Sequence, residues 1–316
     1  MQECRTIGAV DIGGTKIAAG IVDRDGRVLA TDQCPTLQER GFTDGVDRIA
    51  AMLRSCAARA NAQIEGIGIG CTGPVYPRTG EIGDVEFLKS WKGANLVAAL
   101  ESQFGVRAAL ENDADAATLG EAFRGAGRGM AQVLFATVGT GIGVGMVLNG
   151  ELYRGVDDAH PEIGHQVIDA NGPQCYCGAC GCWEVLAAGP AMTAWMNEHS
   201  PQFGLGAKQI CEMAAAGDTL ARRAVEREAH YLGLGLANLV NIFCPEVIVL
   251  GGNVMESAAL FMDGIRAEIR RNCTQVPRER TEIRLASLGP NAAIIGAAWA
   301  WHYRFITKGE RSVVGS

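Results

Sequence analysis

The sequence predicts an α/β protein of two lobes that share a duplicated core. Residues 14–22 align with residues 139–147 at a constant offset of 125 positions. A β-rich run precedes each copy, and a hairpin signal follows it, Asp25-Gly26 in one and Asn149-Gly150 in the other. Glycine fills 42 of the 316 positions, roughly twice its average share. Each half is therefore predicted to open with three strands joined by tight turns.

The remaining elements alternate between strand and helix signals. The predicted strands are short β-rich or apolar runs, at residues 7–10, 64–71, 106–110, 133–138 and 246–250. The predicted helices have apolar residues at helical spacing, at residues 42–62, 95–104, 114–123, 220–243, 258–272 and 292–303. Such alternation is typical of a parallel or mixed sheet with helices on its faces.

We place the boundary between the lobes near residues 113–120. This predicts a smaller α/β lobe over residues 1–115 and a larger α/β lobe over residues 116–290, with a cleft between them. The last helix, within residues 291–310, is predicted to return to the smaller lobe.

Composition and charge argue against several classes of protein. Lys and Arg number 28 against 35 Asp and Glu, and the formal net charge of −7 argues against nucleic acid as a partner. A signal peptide is not expected, and the longest uncharged stretch, residues 129–150, is interrupted by glycines, so we expect no membrane partner. The chain has 11 cysteines, which without a signal peptide indicate a reducing, cytoplasmic compartment.

The first glycine turn carries groups that suit phosphate binding. Asp11, Gly13, Gly14, Thr15 and Lys16 lie within one hairpin turn after a strand. Backbone N–H groups at glycines can approach phosphate oxygens, the Thr hydroxyl and Lys ammonium can add bonds, and the Asp carboxylate could hold hydrated Mg²⁺. A β-turn that merely requires glycine is an equal alternative for this segment alone.

Two further glycine motifs bear on the same question. The second copy of the turn, with Gly139, Thr140 and Gly141, favours the phosphate interpretation, because two facing turns would hold a polyphosphate from both sides. An apolar strand also ends in Gly251-Gly252-Asn253. By itself this last motif indicates no more than a turn from a strand to a helix.

A group of potential metal ligands lies between residues 165 and 182. His165, Cys175, Cys177 and Cys182 supply an imidazole and three thiolates, a set that suits a closed structural Zn²⁺ site. Cys180 offers a fourth thiol, so a Cys₄ site without His165 is the alternative. A closed site would not activate water, and zinc would instead order the loop that carries it.

Asp113 follows a predicted strand and begins a predicted helix. One interpretation is a helix N-cap. The other is a general base that accepts the proton of a hydroxyl group as this attacks a phosphate, because phosphoryl transfer needs mainly positioning and charge stabilisation. We expect Asp115, two residues further on, to point elsewhere and to be solvated.

Six motifs occur along nearly the whole chain in a fixed order. They are Asp11 to Lys16, Glu111-Asn112-Asp113, Gly139 to Gly143, Glu162-Ile163-Gly164-His165, Cys175 to Cys182 and Val249-Leu250-Gly251-Gly252. In this order the chain resembles the ROK family of sugar kinases and is similar to the family's bacterial glucokinases. The resemblance implies the actin/hexokinase-like (ribonuclease H-like) fold, whose duplicated lobes agree with the internal repeat.

The resemblance also assigns roles to individual residues. It makes Asp113 the catalytic base, with Asn112, Glu162, His165 and Glu184 as further ligands of the sugar. His165 rather than Cys180 then completes the zinc site, and the turn at residues 251–253 lies against the adenosine of ATP.

Two segments depart from the family pattern. His160-Pro161 precedes Glu162 where Ala-Gly is more common, which resembles some fructokinase-like members and puts the substrate in doubt. Within residues 84–91, Phe87 stands where many members have an Asn that contacts sugar; Asp84 or Glu86 could substitute, and Trp91 fits a packed tryptophan better than a sugar contact.

The resemblance implies a cytoplasmic hexose kinase that uses ATP and Mg²⁺, holds a structural Zn²⁺ and forms a homodimer. We expect a glucokinase that phosphorylates the 6-hydroxyl of glucose. Fructokinase, mannokinase and N-acetylmannosamine kinase are the alternatives within the family. A non-catalytic sugar sensor or a repressor is the alternative of another class, although the family's repressors carry an N-terminal helix-turn-helix for which the residues before Asp11 leave too little room.

Overall fold

The computed structural model describes residues 5–200 and 204–307. The strands in chain order are β1 (Arg5–Ile12), β2 (Lys16–Asp23), β3 (Val28–Pro35), β4 (Gln63–Cys71), β5 (Val75–Tyr76), β6 (Glu81–Ile82), β7 (Arg107–Asn112), β8 (Gln132–Val138), β9 (Ile142–Leu148), β10 (Glu151–Leu152), β11 (Val247–Gly251) and β12 (Glu282–Leu285). The α-helices are α1 (Phe42–Ala60), α2 (Leu96–Phe104), α3 (Asp113–Arg124), α4 (Trp183–Ala187), α5 (Gly189–His199), α6 (Ala207–Ala215), α7 (Thr219–Phe243), α8 (Met262–Asn272) and α9 (Ala292–His302).

Two five-stranded sheets repeat one topology. Their strand orders are β3-β2-β1-β4-β7 and β10-β9-β8-β11-β12. In each sheet the first two long strands form an antiparallel hairpin, β1 with β2 and β8 with β9. Two further strands then add in parallel, β4 and β7 in the first sheet and β11 and β12 in the second. The predicted α/β class and its duplicated core are therefore confirmed.

Unit 1, the first compact unit, comprises residues 1–129, 152–160 and 287–316. Its sheet has helices on both faces, because the cluster around Ile49 and Leu53 of α1 packs on one side and Ala297 and Trp301 of α9 pack on the other. The predicted boundary near residues 113–120 falls inside this unit, which extends to Gly129.

The close packing of α3 against α9 accounts for this later boundary. A Cβ atom on Gly120 would lie 3.0 Å from Cα of Gly296, so the two helices touch at a pair of glycines. The contact keeps α3 in unit 1 together with residues 287–307. Residues 308–310 of the predicted closing segment lie outside the described residues.

Unit 2 comprises residues 130–151 and 161–286. One apolar cluster joins its sheet to the helices, and α7 supplies buried residues along most of its 25-residue length. The N-terminus of α7 is capped by the Asp218 side chain, which accepts a hydrogen bond from the backbone N–H of Ala221 at 2.8 Å. Along residues 5–200 and 204–307, no helix is both long enough and apolar enough to span a membrane.

Candidate active site

Three parallel strands of unit 1 end at the same edge of its sheet. The register places Asp11 of β1 beside Gly70 of β4, and Gly70 beside Glu111 of β7. The chain then passes from β7 into α3 at Asn112 and Asp113. Ligands of α/β folds bind at the carboxyl ends of such strands. The first glycine turn and the Asp113 segment therefore share the edge at which a ligand is expected.

The carboxyl groups of Asp11 and Asp113 interact electrostatically. Burial, and next the negative charge of Asp113, raise the pKa of Asp11 to about 6, against a lowering by Lys16. Burial, followed by the negative charges of Asp113 and Asp11, also raises the pKa of the Cys71 thiol. Two neighbouring carboxylates offer the oxygen ligands that a divalent cation prefers.

Asn112, rather than Asp113, is the N-cap of α3. The Asn112 Oδ1 atom accepts hydrogen bonds from the backbone N–H groups of Ala114 at 2.8 Å and Asp115 at 3.4 Å. Asp113 is the first helical residue, and its exposed carboxylate accepts a further bond from Ala114 at 2.8 Å. The N-cap interpretation of Asp113 is therefore wrong, and the cap holds Asp113 at the helix start with its carboxylate accessible.

The prediction that Asp115 is solvated is also wrong. Its side chain is 0% exposed, with Oδ2 3.3 Å from an Arg154 guanidinium nitrogen and Oδ1 2.9 Å from His160 Nδ1. Arg154 also hydrogen-bonds Glu111, on the other side of Asn112 and Asp113 in the sequence. Burial raises the pKa of Glu111 to about 7, although Arg154 lowers it. We call Glu111, Asp115, Arg154 and His160 the Arg154 cluster.

The first glycine turn has a defined hydrogen-bonding pattern. The Gly13 N–H donates to the Lys16 carbonyl at 2.9 Å, and the Thr36 hydroxyl donates to the Gly13 carbonyl at 2.7 Å. Thr15 and Lys16 are exposed. The Phe87 side chain packs directly over Gly14 while remaining 63% exposed. A phenyl ring therefore lies at this turn, at the position where the resemblance implies an Asn.

The second glycine turn is tied to Glu184. The Gly139 N–H donates to the Gly141 carbonyl at 2.9 Å, and the Ile142 N–H donates to the Glu184 carboxylate at 2.8 Å. Glu184 follows Cys182 at the start of α4. The Glu184 side chain thus links the end of the candidate metal loop to the second glycine turn.

A cavity of about 850 Å³ opens beside this second turn, within unit 2. Its lining residues are Gly139, Thr140, Gly189, Pro190, Thr193, Ala194, Asn197, Ala207, Lys208, Cys211, Glu212, Asn253, Val254, Glu256 and Ser257. Three of these, Gly139, Thr140 and Asn253, are predicted cofactor residues. Gly141 and Gly252 stand next to lining residues in the sequence, and Gly251 stands two positions from one. Sequence reasoning missed the residues of α5 and α6, for which the Gly189-Pro190 start of α5 was the available signal.

Gly252 cannot be replaced without strain. Its φ of 90° lies in the region that favours glycine, and a Cβ atom there would collide with the Val138 backbone. The close approach of β11 to the end of β8 therefore depends on glycine, and it places Asn253 at the cavity.

The candidate metal ligands are brought together. The donor atoms of His165, Cys175, Cys177 and Cys182 all lie within 4.8 Å of one another, and among the described residues this group does not include Cys180. Cys177 Sγ lies 3.6 Å from Cys182 Sγ, and Cys175 Sγ lies 3.5 Å from His165 Nδ1. Burial is the main cause that raises the pKa of the Cys182 thiol to about 12, so this thiol stays protonated near neutral pH unless a bound cation lowers its pKa.

The predicted sugar ligands divide between the two units. Asn112 and Asp113 belong to unit 1, and Glu162, His165 and Glu184 belong to unit 2. Within unit 2 a single 3₁₀ turn connects the first two of these, because the His165 N–H donates to the Glu162 carbonyl at 3.0 Å. Glu162 is exposed, and Glu184 is partly buried.

Comparisons with known proteins identify the family of the chain. The model of the ROK family matches residues 7–304. A glucokinase of Thermotoga maritima is 31% identical over 311 residues, which cover 94% of this chain and 97% of that protein. The ROK hexokinase of Thermus thermophilus is 35% identical with a TM-score of 0.85, covering 96% of this chain and 100% of that one.

A third similar protein has been solved with bound ligands. The structure of a ROK family glucokinase from Streptomyces griseus in complex with glucose and AMPPNP is 32% identical with a TM-score of 0.78, covering 93% of this chain and 98% of that one. These matches confirm the predicted actin/hexokinase-like fold and the predicted enzyme class, a kinase that phosphorylates an alcohol group. The chain belongs to the ROK family.

Proposed function

We propose that this protein is an ATP-dependent hexose kinase that converts glucose and ATP to glucose 6-phosphate and ADP. The observation that carries the proposal is the proximity of an exposed carboxylate, Asp113, to the partly buried carboxylate of Asp11 at the carboxyl edge of three parallel strands. The glucokinases among the relatives, at about one-third identity over most of the chain, support glucose as the substrate.

In the proposed reaction Asp113 is the catalytic base. Its carboxylate accepts the proton of the sugar 6-hydroxyl, the oxygen attacks the γ-phosphorus, and ADP leaves with the electrons of the broken bond. Asp11 would hold hydrated Mg²⁺, which supplies positive charge to the phosphate oxygens when it is bound. The N–H groups of both glycine turns, Thr15, Thr140 and Lys16 would bind the phosphates.

The unit 2 cavity is proposed to hold the adenosine of ATP. It combines apolar lining from Val254 and Pro190 with polar groups such as Asn197, the mixture expected of a nucleoside site. The AMPPNP in the Streptomyces griseus glucokinase supports ATP as the phosphoryl donor.

We propose a structural Zn²⁺ site at His165, Cys175, Cys177 and Cys182. The Sγ to Sγ distance of 3.6 Å and the Sγ to Nδ1 distance of 3.5 Å fit the edges of a tetrahedron with metal–ligand bonds of about 2.0–2.3 Å. Zinc would hold the loop that positions His165 and Glu184. Purified protein should contain one zinc per chain after Cys180→Ser but lose it after Cys182→Ser; retention by the second variant would favour the set with Cys180.

The test of the base is Asp113→Asn. We expect turnover in a coupled ADP-release assay with glucose to fall by about 10³-fold, because the variant cannot accept the proton and loses a charge at the site. Nucleotide affinity should change little. The exposed Asp263→Asn on α8 is the matched control and should retain full activity. Normal turnover by Asp113→Asn would overturn the assignment.

The same assay decides the substrate. A panel of glucose, fructose, mannose and N-acetylmannosamine should give the highest kcat/KM with glucose. A higher value for another hexose would replace the substrate and keep the mechanism. A sugar sensor would bind a hexose and release no ADP in the presence of ATP and Mg²⁺, and that result would overturn the kinase proposal.

A further inference from the structure

Tyr176 lies between two of the candidate zinc ligands, Cys175 and Cys177, and its ring stands edge-on to the His165 imidazole. The ring centroids are 5.1 Å apart at an interplanar angle of 80°. The residue is 82% exposed, yet its hydroxyl oxygen lies 3.1 Å from His165 Nε2. A largely solvent-exposed side chain thus directs its one polar group at a residue of the candidate site.

The Tyr176 hydroxyl also hydrogen-bonds the Glu184 carboxylate. Burial of the hydroxyl end, followed by the charge of Glu184 and this bond, raises the pKa of Tyr176, and the charge of Glu162 contributes in the same direction. A phenol is protonated near neutral pH and can donate a hydrogen bond. Its hydroxyl lies among Glu162, His165 and Glu184, the three unit 2 residues that the proposed function makes ligands of the sugar.

The hydrogen bonds that join His165, Tyr176 and Glu184 run in one direction. His165 Nδ1 faces Cys175 Sγ, on the side of the candidate metal, so Nε2 carries the ring proton. The Nε2–H group donates to the Tyr176 oxygen, and the Tyr176 O–H donates to Glu184. A sugar hydroxyl has the same capacity to accept one bond and donate another. The phenol and a sugar hydroxyl therefore compete for the same pair of partners.

We propose that Tyr176 is a specificity-determining residue whose hydroxyl occupies the position of a sugar hydroxyl on His165 and Glu184, so that a sugar must displace it to bind. The inference rests on the proposed function, which makes these two residues sugar ligands. Displacement requires little repacking, because most of the Tyr176 side chain is exposed to solvent. A sugar that offers a hydroxyl at this position gains both bonds, whereas one that lacks it leaves Tyr176 in place.

The test is Tyr176→Phe in the full-length zinc-loaded protein. The dissociation constant of glucose, measured by calorimetry without nucleotide, should fall roughly fivefold, because the competing hydrogen bonds are lost. The KM for glucose should fall in parallel, and kcat should change less than about twofold. The matched control is Tyr76→Phe, a half-exposed tyrosine of β5 in unit 1, which should leave the affinity unchanged.

Deoxy analogues of glucose sharpen the test. The analogue that lacks the displacing hydroxyl should bind wild type and Tyr176→Phe equally, whereas the other analogues should retain the difference. An unchanged glucose affinity in Tyr176→Phe would show that the phenol does not compete, and a weakened affinity would show that it is itself a sugar ligand; either result overturns the inference. If wild type phosphorylates no hexose and binds none, the proposed function fails as well, which separates the two failures.

Discussion

Replacing Arg154 by Met tests how far the Arg154 cluster supports the fold of unit 1. The guanidinium contacts two carboxylates, Glu111 and Asp115, and the exposed fractions of these side chains are 9% for Arg154, 3% for Glu111 and 0% for Asp115. Met has a similar length and no charge, so the variant fills the space and leaves both acids without their guanidinium.

The expected cost is large because the remaining charges are buried. Removing one partner of a buried ion pair costs about 3–5 kcal/mol, since an uncompensated charge stays in the interior. Solvent screening gives little relief at these exposed fractions. We therefore expect Arg154→Met to lower the free energy of unfolding by about 4 kcal/mol at pH 8, which is a large part of the stability of an ordinary domain.

The loss should depend on pH in a defined direction. The pKa of Glu111 in the folded protein is about 7, above its ordinary value of 4.5. The stabilisation linked to this raised pKa is fully present below pH 4.5 and is lost as the pH rises through 7. At pH 5 Glu111 is mostly protonated, so its interaction with the Arg154 guanidinium contributes less to stability. The difference between wild type and Arg154→Met should therefore be smaller at pH 5 than at pH 8.

Urea unfolding followed by circular dichroism at both pH values measures these differences. Arg266→Met, at an exposed position on α8, is the control and should change stability by less than about 0.5 kcal/mol. The double variant Glu111→Gln/Arg154→Met should recover part of the loss, because it removes one of the two unpaired acids. A loss below about 1 kcal/mol at pH 8, or one that grows towards pH 5, would refute the reasoning.

Two further predictions concern unit 2. Glu228 of α7 is 0% exposed, neither of its carboxylate oxygens has a hydrogen-bond partner in the described chain, and burial raises its pKa well above 4.5. Glu228 is fully protonated in the folded protein below pH 4.5, and the free energy of unfolding falls by up to about 1.4 kcal/mol for each pH unit above this value. We therefore expect Glu228→Gln to melt at a higher temperature than wild type at pH 8 and at a similar temperature towards pH 5. Parallel melting curves at both pH values would contradict this. Removing zinc with a chelator should lower the melting temperature and the glucokinase activity together, and readdition should restore both; full activity in protein shown to be metal-free would exclude a structural role for the metal.

Local signals explain what the sequence could predict. Both β-hairpins are marked by glycine turns and a repeat at fixed offset, and α7 shows helical spacing over 25 residues. The cluster of candidate metal ligands was also predictable, because three of its four residues lie within eight positions of the chain and suit a zinc site. Each of these features is determined by neighbours in the chain.

Long-range contacts explain what the sequence could not predict. Asp115 looks like an exposed helical acid until Arg154 and His160, 39 and 45 positions later, are placed against it. Unit 1 extends to Gly129 for the same kind of reason, because α3 packs against α9 through glycines 176 positions apart. Gly189-Pro190 marks the start of α5, but the proximity of the α5 and α6 cavity residues to Gly139 follows only from the fold of unit 2.

The four acids around the β7–α3 junction fall into two pairs with different surroundings. Glu111 and Asp115 contact Arg154, a cation that cannot be deprotonated, so both acids have a cationic partner within the protein. Asp11 and Asp113 lie near each other, and burial together with their mutual repulsion raises the pKa of Asp11 to about 6. Neighbouring residues of a strand point to opposite faces, which allows Glu111 to meet Arg154 while Asn112 caps α3. The Asn112 cap keeps Asp113 at the helix start, where it lies near Asp11.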